Sequence, residues 1–353
     1  MLQLTCRLLL VVLVLLGPGL AVAVSPTFVA FESGHVRPLV LSPDGNQLFV
    51  VNTPDNTLEI FDVDAGGLTF AAAVPVGLEP ITVAARTNTE VWVVNKLSDS
   101  VSIVDLSGPV PIVKRTLLVG DEPADLVFAG ADRAFITTAH RGQHRTHSSI
   151  SGVFGGGNPA DPRFATAGID RADVWVFDAL ALGSTIGGTP VDVLTFFADT
   201  PRAFATDGTT VYVAAFMSGN QTATVNETLV PDGFVTFCGG GGVGVGVPGP
   251  KDNVNTDPAP ETGVVVKFDG INWVDALGCT WNHVVPFSSG FMLPDNDVFA
   301  VNATTLTKGT VFSSVGTILF NMTINPASGK IYVTNTESPN EVRFEGPGNH
   351  GGS

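Results

Sequence analysis

One short strand pattern recurs five times along the 353 residues and constrains the fold more than any other feature. It consists of a β-branched or small residue, an aromatic, and then small or branched residues. The five copies are Leu48-Phe49-Val50-Val51-Asn52, Val91-Trp92-Val93-Val94-Asn95, Ala134-Phe135-Ile136-Thr137-Thr138, Val211-Tyr212-Val213-Ala214-Ala215 and Ile331-Tyr332-Val333-Thr334-Asn335. The steps from Leu48 to Val91 and from Val91 to Ala134 are 43 residues each, the length of one four-stranded propeller blade. A second pattern follows the first at Thr57 to Asp62, Ser100 to Asp105, Asp173 to Asp178 and Asp297 to Asn302. A proline stands ten or eleven residues ahead of four of the aromatic strands, at Pro38, Pro80, Pro123 and Pro201. Its missing N–H is least costly at the start of an inner strand. A β-sandwich also has short strands, but it does not explain three marks in register.

Naming the strands a to d outward from the axis, the Pro-led strand is a, the aromatic strand b, the Asp-ended strand c, and Thr69 to Pro75 and Val113 to Val119 are d strands. The expectation is an all-β propeller of four-stranded blades. Alternation turns the b-strand aromatics to one phase, where they pack between neighbouring blades, each contributing about 2–3 kcal/mol. The c pattern starts nine residues after b in the first two blades, but 39 and 86 residues after it in the third and fourth. Two b-to-c insertions therefore span about 140–171 and about 217–295. The second holds a glycine run, Gly239 to Gly242, and a hairpin signal in which Val264 to Phe268 and Ile271 to Asp275 flank Asp269-Gly270.

Tyr332-Val333-Thr334-Asn335 spells the signature of the YVTN β-propeller repeat family, beside Asn325-Pro326-Ala327-Ser328-Gly329-Lys330 and its counterpart Leu41-Ser42-Pro43-Asp44-Gly45-Asn46. The chain resembles that family from roughly Thr27 to Phe344. The resemblance implies a propeller of surface-layer, periplasmic or cofactor-associated type, usually with seven blades. Five repeats then imply a truncated seven-bladed propeller. The alternative is a closed five-bladed ring, with Thr27 to Glu32 as an outer strand beside a c strand at Glu341 to Phe344.

Residues 1–23 read as a secretory signal peptide: Arg7, the apolar run Leu8 to Leu16, and the small-residue site Ala21-Val22-Ala23. The apolar run is too short for a bilayer span, so residues 24–353 form the exported propeller, in periplasm, at the cell surface or outside the cell, with no transmembrane segment left after cleavage. Cleavage removes one Arg and no acid, leaving 16 basic against 33 acidic residues. That balance excludes nucleic acid as a partner. Cys238 and Cys279 remain, and an oxidising compartment favours a bridge between them. It would close a loop of about 40 residues for roughly 4 kcal/mol. Two separate buried thiols are the alternative.

Antiparallel strands put the b-to-c links and the links into a strands on one face, and variable loops on rigid scaffolds carry function. That face is expected to hold His35, Arg37 and the insertion segment His140, Arg141, His144, Arg145 and His147. The imidazoles could ligate zinc or copper. The arginines between them repel a cation and suit a carboxylate or phosphate. A polar loop without a site also accounts for the run. Asn220, Asn226, Asn302 and Asn321 begin Asn-X-Thr sequons. No haem, zinc-protease, nucleophile-elbow or phosphate-loop motif occurs. No cofactor follows from the sequence, and the leading expectation is a non-catalytic scaffold that binds a protein, glycan or small anionic ligand. The alternatives are a lactonase-like or cofactor-dependent propeller enzyme, whose sites lie near the axis, and a metal or redox accessory protein using the His-rich loop.

Overall fold

The computed structural model describes residues 34–140, 172–218, 222–225, 254–257, 264–275, 278–284 and 295–336, and every regular element among them is a strand. The first sheet is the meander β1 (Leu39–Leu41), β2 (Gln47–Asn52), β3 (Thr57–Asp64) and β4 (Gly67–Pro75). The second is β5 (Pro80–Thr87), β6 (Glu90–Asn95), β7 (Ser100–Asp105) and β8 (Ile112–Leu118). The third is β9 (Asp121–Ala129), β10 (Arg133–His140), β11 (Ala172–Asp178) and β12 (Asp192–Phe196). The fourth uses β13 (Asp199–Thr206), β14 (Thr210–Met217), β18 (Val298–Asn302) and β19 (Lys308–Phe312). Between β14 and β18 the insertion forms its own small sheet from β15 (Thr222–Val225), β16 (Val264–Phe268) and β17 (Trp273–Val274). Last comes the pair β20 (Ile318–Ile324) and β21 (Ile331–Thr336), joined to β14 through the single pair Met217–Ile318. All these ladders are antiparallel, and the 43-residue period corresponds to one sheet.

The first strands β1, β5, β9, β13 and β20 follow one another side by side. Ile81, Ala124, Ala203, Leu319 and Met322 of β5, β9, β13 and β20 share one buried cluster with Val36, which precedes β1. Meanders whose first strands meet at a common core have the arrangement of a β-propeller. The sheets pack face to face through the b-strand aromatics. Phe49 lies among Val83, Val91 and Val93 of the second sheet. Trp92 meets Leu126, Ala134 and Ile136 of the third, and Phe135 meets Val211, Val213 and Val301 of the fourth. Tyr212 follows the pattern less completely, against Ile331 and Val333.

Tyr332 departs from it. Tyr332 is 56% exposed, and Leu39 and Leu41 of β1 are exposed too. Among the described residues β21 pairs with β20 alone, so it is the outer strand of its pair. The segments expected beyond β21, 27–32 and 341–344, lie outside the described residues. A cleft of about 570 Å³ lies on the fourth sheet, beside β14, β18 and β19, lined by Tyr212, Lys308 and Phe312.

One cap recurs between sheets. Asn56 Oδ1 accepts from the Glu79 N–H (2.8 Å), Asp99 Oδ1 from that of Glu122 (3.0 Å), and Asp297 Oδ2 from those of Val315 and Gly316 (2.5 and 3.3 Å). Each ties the start of a c strand to the link leading into the next sheet. Glu79 and Glu122 both have φ near 51°. A residue before proline is disfavoured in the right-handed helical region, and here the cap holds it in the left-handed one, which costs a non-glycine residue about 1–2 kcal/mol.

The axis itself is crossed by residues 34–37. Val36 N–H donates to Ile81 O (3.2 Å), Val83 N–H to Arg37 O (2.9 Å), and Asn321 Nδ2 to Val36 O (2.7 Å). Arg37 Nε and Nη2 fork onto Asp125 (3.2 and 3.0 Å), and Nη2 also reaches Phe204 O (3.0 Å). Asp125 is fully buried, and its oxygens accept two further bonds, from the Leu126 and Phe204 N–H groups (2.9 and 2.8 Å). The adjacent carboxylate raises the pKa of Arg37 against the opposing effect of burial.

Asp125→Asn removes the counter-charge and should cost about 3–5 kcal/mol in urea unfolding, whereas the paired change Arg37→Met with Asp125→Leu should recover most of that loss. A second buried carboxylate predicts the acid limb of stability. Burial, the largest influence on Glu90, pushes its pKa up. Donation from Arg86 (2.5 Å), Lys114 (2.5 Å) and Trp92 (2.9 Å) outweighs it and brings the value from 4.5 down to about 2. A depressed pKa means that this contribution is complete above pH 4.5 and is lost as pH falls towards about 2. Glu90→Gln should lower stability at neutral pH and flatten its decline across that window.

Candidate functional site

The axis mouth at the b-to-c end of the sheets gathers the described polar groups best placed to meet a ligand. His35 stands there, exposed, on the segment that crosses the axis. Its Nε2 lies 2.6 Å from Thr53 Oγ1, and that hydroxyl donates its single proton to Pro80 O, also at 2.6 Å. Nε2 must therefore carry a proton and donate. In the neutral ring this leaves Nδ1 as an acceptor towards solvent. Thr53 lies in a b-to-c link, so this link and the segment leading into β1 share one face, as the strand order requires.

Arg37 is the neighbour in sequence but not in role. Its guanidinium turns away from this face to form the ion pair with Asp125, because a carboxylate buried in β9 needs a partner more than solvent needs the arginine. Arg202 stands at the mouth instead. Its Nη2 donates to Gly34 O (2.9 Å) and its Nε to Phe320 O (3.3 Å), and the guanidinium lies 5.0 Å from the Phe216 ring centroid. Phe216 in turn meets Phe320 edge-on at 5.7 Å. Burial lowers the pKa of Arg202, and Asp125 works against that shift. A cation held by backbone carbonyls and an aromatic face can receive a carboxylate or phosphate. The sequence carried a signal for it, since Arg202 directly follows Pro201 in a strand otherwise destined for the axis.

Of the His-rich run, only the backbone of His140 falls within the described residues. It ends β10 opposite Asp121, at the same end of the sheets as His35. Arg141, His144, Arg145 and His147 lie outside them. Among the described residues no three His, Cys, Asp or Glu side chains cluster as metal ligands do.

The second insertion has a core of its own. Val225, Val264, Val266, Trp273 and Trp281 bury one another, and the β16–β17 hairpin turns at Asp269-Gly270, where Gly270 has φ 99°. Asp275 Oδ1 accepts from the Cys279 N–H (2.8 Å) and Oδ2 from Trp281 Nε1 (2.9 Å), which fixes buried Cys279 at the edge of this core. Cys238 lies outside the described residues. The tryptophan core had no counterpart in the repeat pattern, because it belongs to none of the repeats.

No family model matches the chain, and no curated protein matches it. Among solved structures, hydrazine synthase from Kuenenia stuttgartiensis is 13% identical over 88% of this chain and 99% of its own, with a TM-score of 0.39. A chain of the mitotic checkpoint complex is 12% identical over 87% of this chain and 73% of its own, with a TM-score of 0.40. A functionally unknown protein from Desulfotomaculum acetoxidans is 15% identical over 53% of each chain, with a TM-score of 0.36, so the match spans about half of that protein's length.

Proposed function

We propose that the chain is an exported, non-catalytic β-propeller scaffold of YVTN type that presents its b-to-c face to an anionic group on a protein, glycan or small ligand. The observation that carries this is the filled axis. Propeller enzymes of the kinds considered above keep their sites near the axis, and here residues 34–37, the Arg37–Asp125 pair and an apolar cluster occupy it. Among the described residues the mouth offers a cation and an imidazole, Arg202 and His35, and neither is a nucleophile beside a base. The bond from Asn321 to Val36 O brings the last described pair of strands back to the first segment. This favours five repeats closing around one axis over an arc of a larger ring. A Cys238–Cys279 bridge stapling the second insertion belongs to the same proposal.

The test uses the mature protein secreted from a host with an oxidising export route, screened at low salt against arrays of acidic and neutral glycans and peptides. Binding to acidic members that weakens at least about tenfold in Arg202→Lys, which keeps the charge and loses the fork, supports the proposal. Turnover in a lactone and dehydrogenase screen, or binding indifferent to Arg202 and salt, would overturn it. Non-reducing peptide mapping of the same material should recover Cys238 and Cys279 in one linked pair.

A further inference from the structure

The same guanidinium that closes the axis also forms part of a small cavity on the far side of it. A space of about 150 Å³ lies towards the a-to-b ends of β9, β13 and β20, lined by Arg37, Val127, Phe204, Thr206, Met322 and Ile324. Arg37 spends Nε and Nη2 on Asp125 and Phe204 O, while Nη1 makes no hydrogen bond among the described residues. Its side chain is 33% exposed and that of Asp125 is not exposed at all. Both Asp125 oxygens already accept two bonds each. The ion pair therefore shows the cavity its cationic side, with two N–H groups unspent, and hides its anionic side. The Thr206 hydroxyl donates to Thr210 O (2.8 Å) and accepts from Gly208 N–H (2.9 Å); Thr323 also lines the space, and Val127, Phe204, Ala205, Met322 and Ile324 supply apolar side chains.

The geometry points to a binding site for a short-chain monocarboxylate. Nη1 would donate to the carboxylate, and Val127, Met322 and Ile324 would cover the aliphatic remainder. The cavity has room for about five waters at liquid density, the size class of a four-carbon acid. A dianion such as phosphate fits worse, because its second charge would lie near the Asp125 carboxylate and has no second cation in the lining to meet it. This site is independent of the b-to-c mouth and opens at the opposite end of the axis.

The probe is sodium butyrate, titrated into the mature protein and followed by ligand-observed and methyl NMR, with sodium chloride and inorganic phosphate at matched ionic strength as controls. Saturable shifts of the Val127, Met322 and Ile324 methyls with butyrate alone are expected. Ile324→Phe, which narrows the cavity from a half-buried position, and Arg37→Lys, which removes the Nη1 donor, should each weaken binding about tenfold, the scale of one charge-assisted hydrogen bond. Arg202→Lys should leave it unchanged, which separates failure here from failure of the b-to-c site. Absence of saturable shifts at those methyls, equal affinity in Ile324→Phe, or a preference of the same methyls for phosphate would overturn the assignment. Should Arg37→Lys fail to fold, Ile324→Phe decides alone.

Discussion

The Arg37–Asp125 pair is the contact on which the rest of the arrangement depends. Withdrawing a carboxylate from water costs several kcal/mol, and a buried ion pair often does no better than an apolar substitute. Asp125 is tolerable because each oxygen receives one N–H from the guanidinium and one from the backbone. Those donors come from the segment ahead of β1, from β9 itself and from β13. The carboxylate is thus satisfied only when sheets distant in sequence stand in one particular relation. Its contribution is to select that relation among the many ways in which apolar sheet faces could stack.

Around this hub the sheets are held by two devices that repeat. Aromatics of the b strands fill the spaces between neighbouring faces, and Asn or Asp caps fasten each c strand to the link that follows it. Both are local to one sheet and its neighbour, so they propagate along the chain as in other repeat architectures. The molecule departs from the repeat at the axis, at the second insertion and beside β21. The residues singled out for ligands lie at the first of these, where the pattern no longer dictates the side chain.

Much of the fold was legible. The b strands expected at Leu48, Val91, Ala134, Val211 and Ile331 are β2, β6, β10, β14 and β21, displaced by no more than a residue or two at their ends. The second insertion separates β14 from β18 where the period breaks, and its hairpin turns at the Asp-Gly signal. These features are readable because they follow from alternation, spacing and turn chemistry, all of which are local. Arg37 was not readable in the same way. Proximity to Pro38 gives its strand, but its direction is set by Asp125, 88 residues away. Arg202 and Asp125 each carried a signal, a charge inside an inner strand, that becomes meaningful only when the two ends of the axis are distinguished. The packing expected of Tyr332 required a covering face that local pattern cannot supply. The candidate site was legible only as a face, with His35 on it.

The hub also orders events in time. The first two sheets pair strands that emerge from the ribosome close together, so those meanders can form as synthesis proceeds. The axis cannot. Arg37 waits 88 residues for Asp125 and 167 for the Phe204 carbonyl, and Val36 waits 285 for Asn321. Contacts of such separation slow folding far more than they weaken the finished state. A chain halted between Asp125 and Phe204 would keep the ion pair but leave one carboxylate oxygen short of its backbone donor. The same oxygen that selects the native arrangement of the sheets thus makes an unfinished product less stable than a complete one, and more open to proteolytic removal.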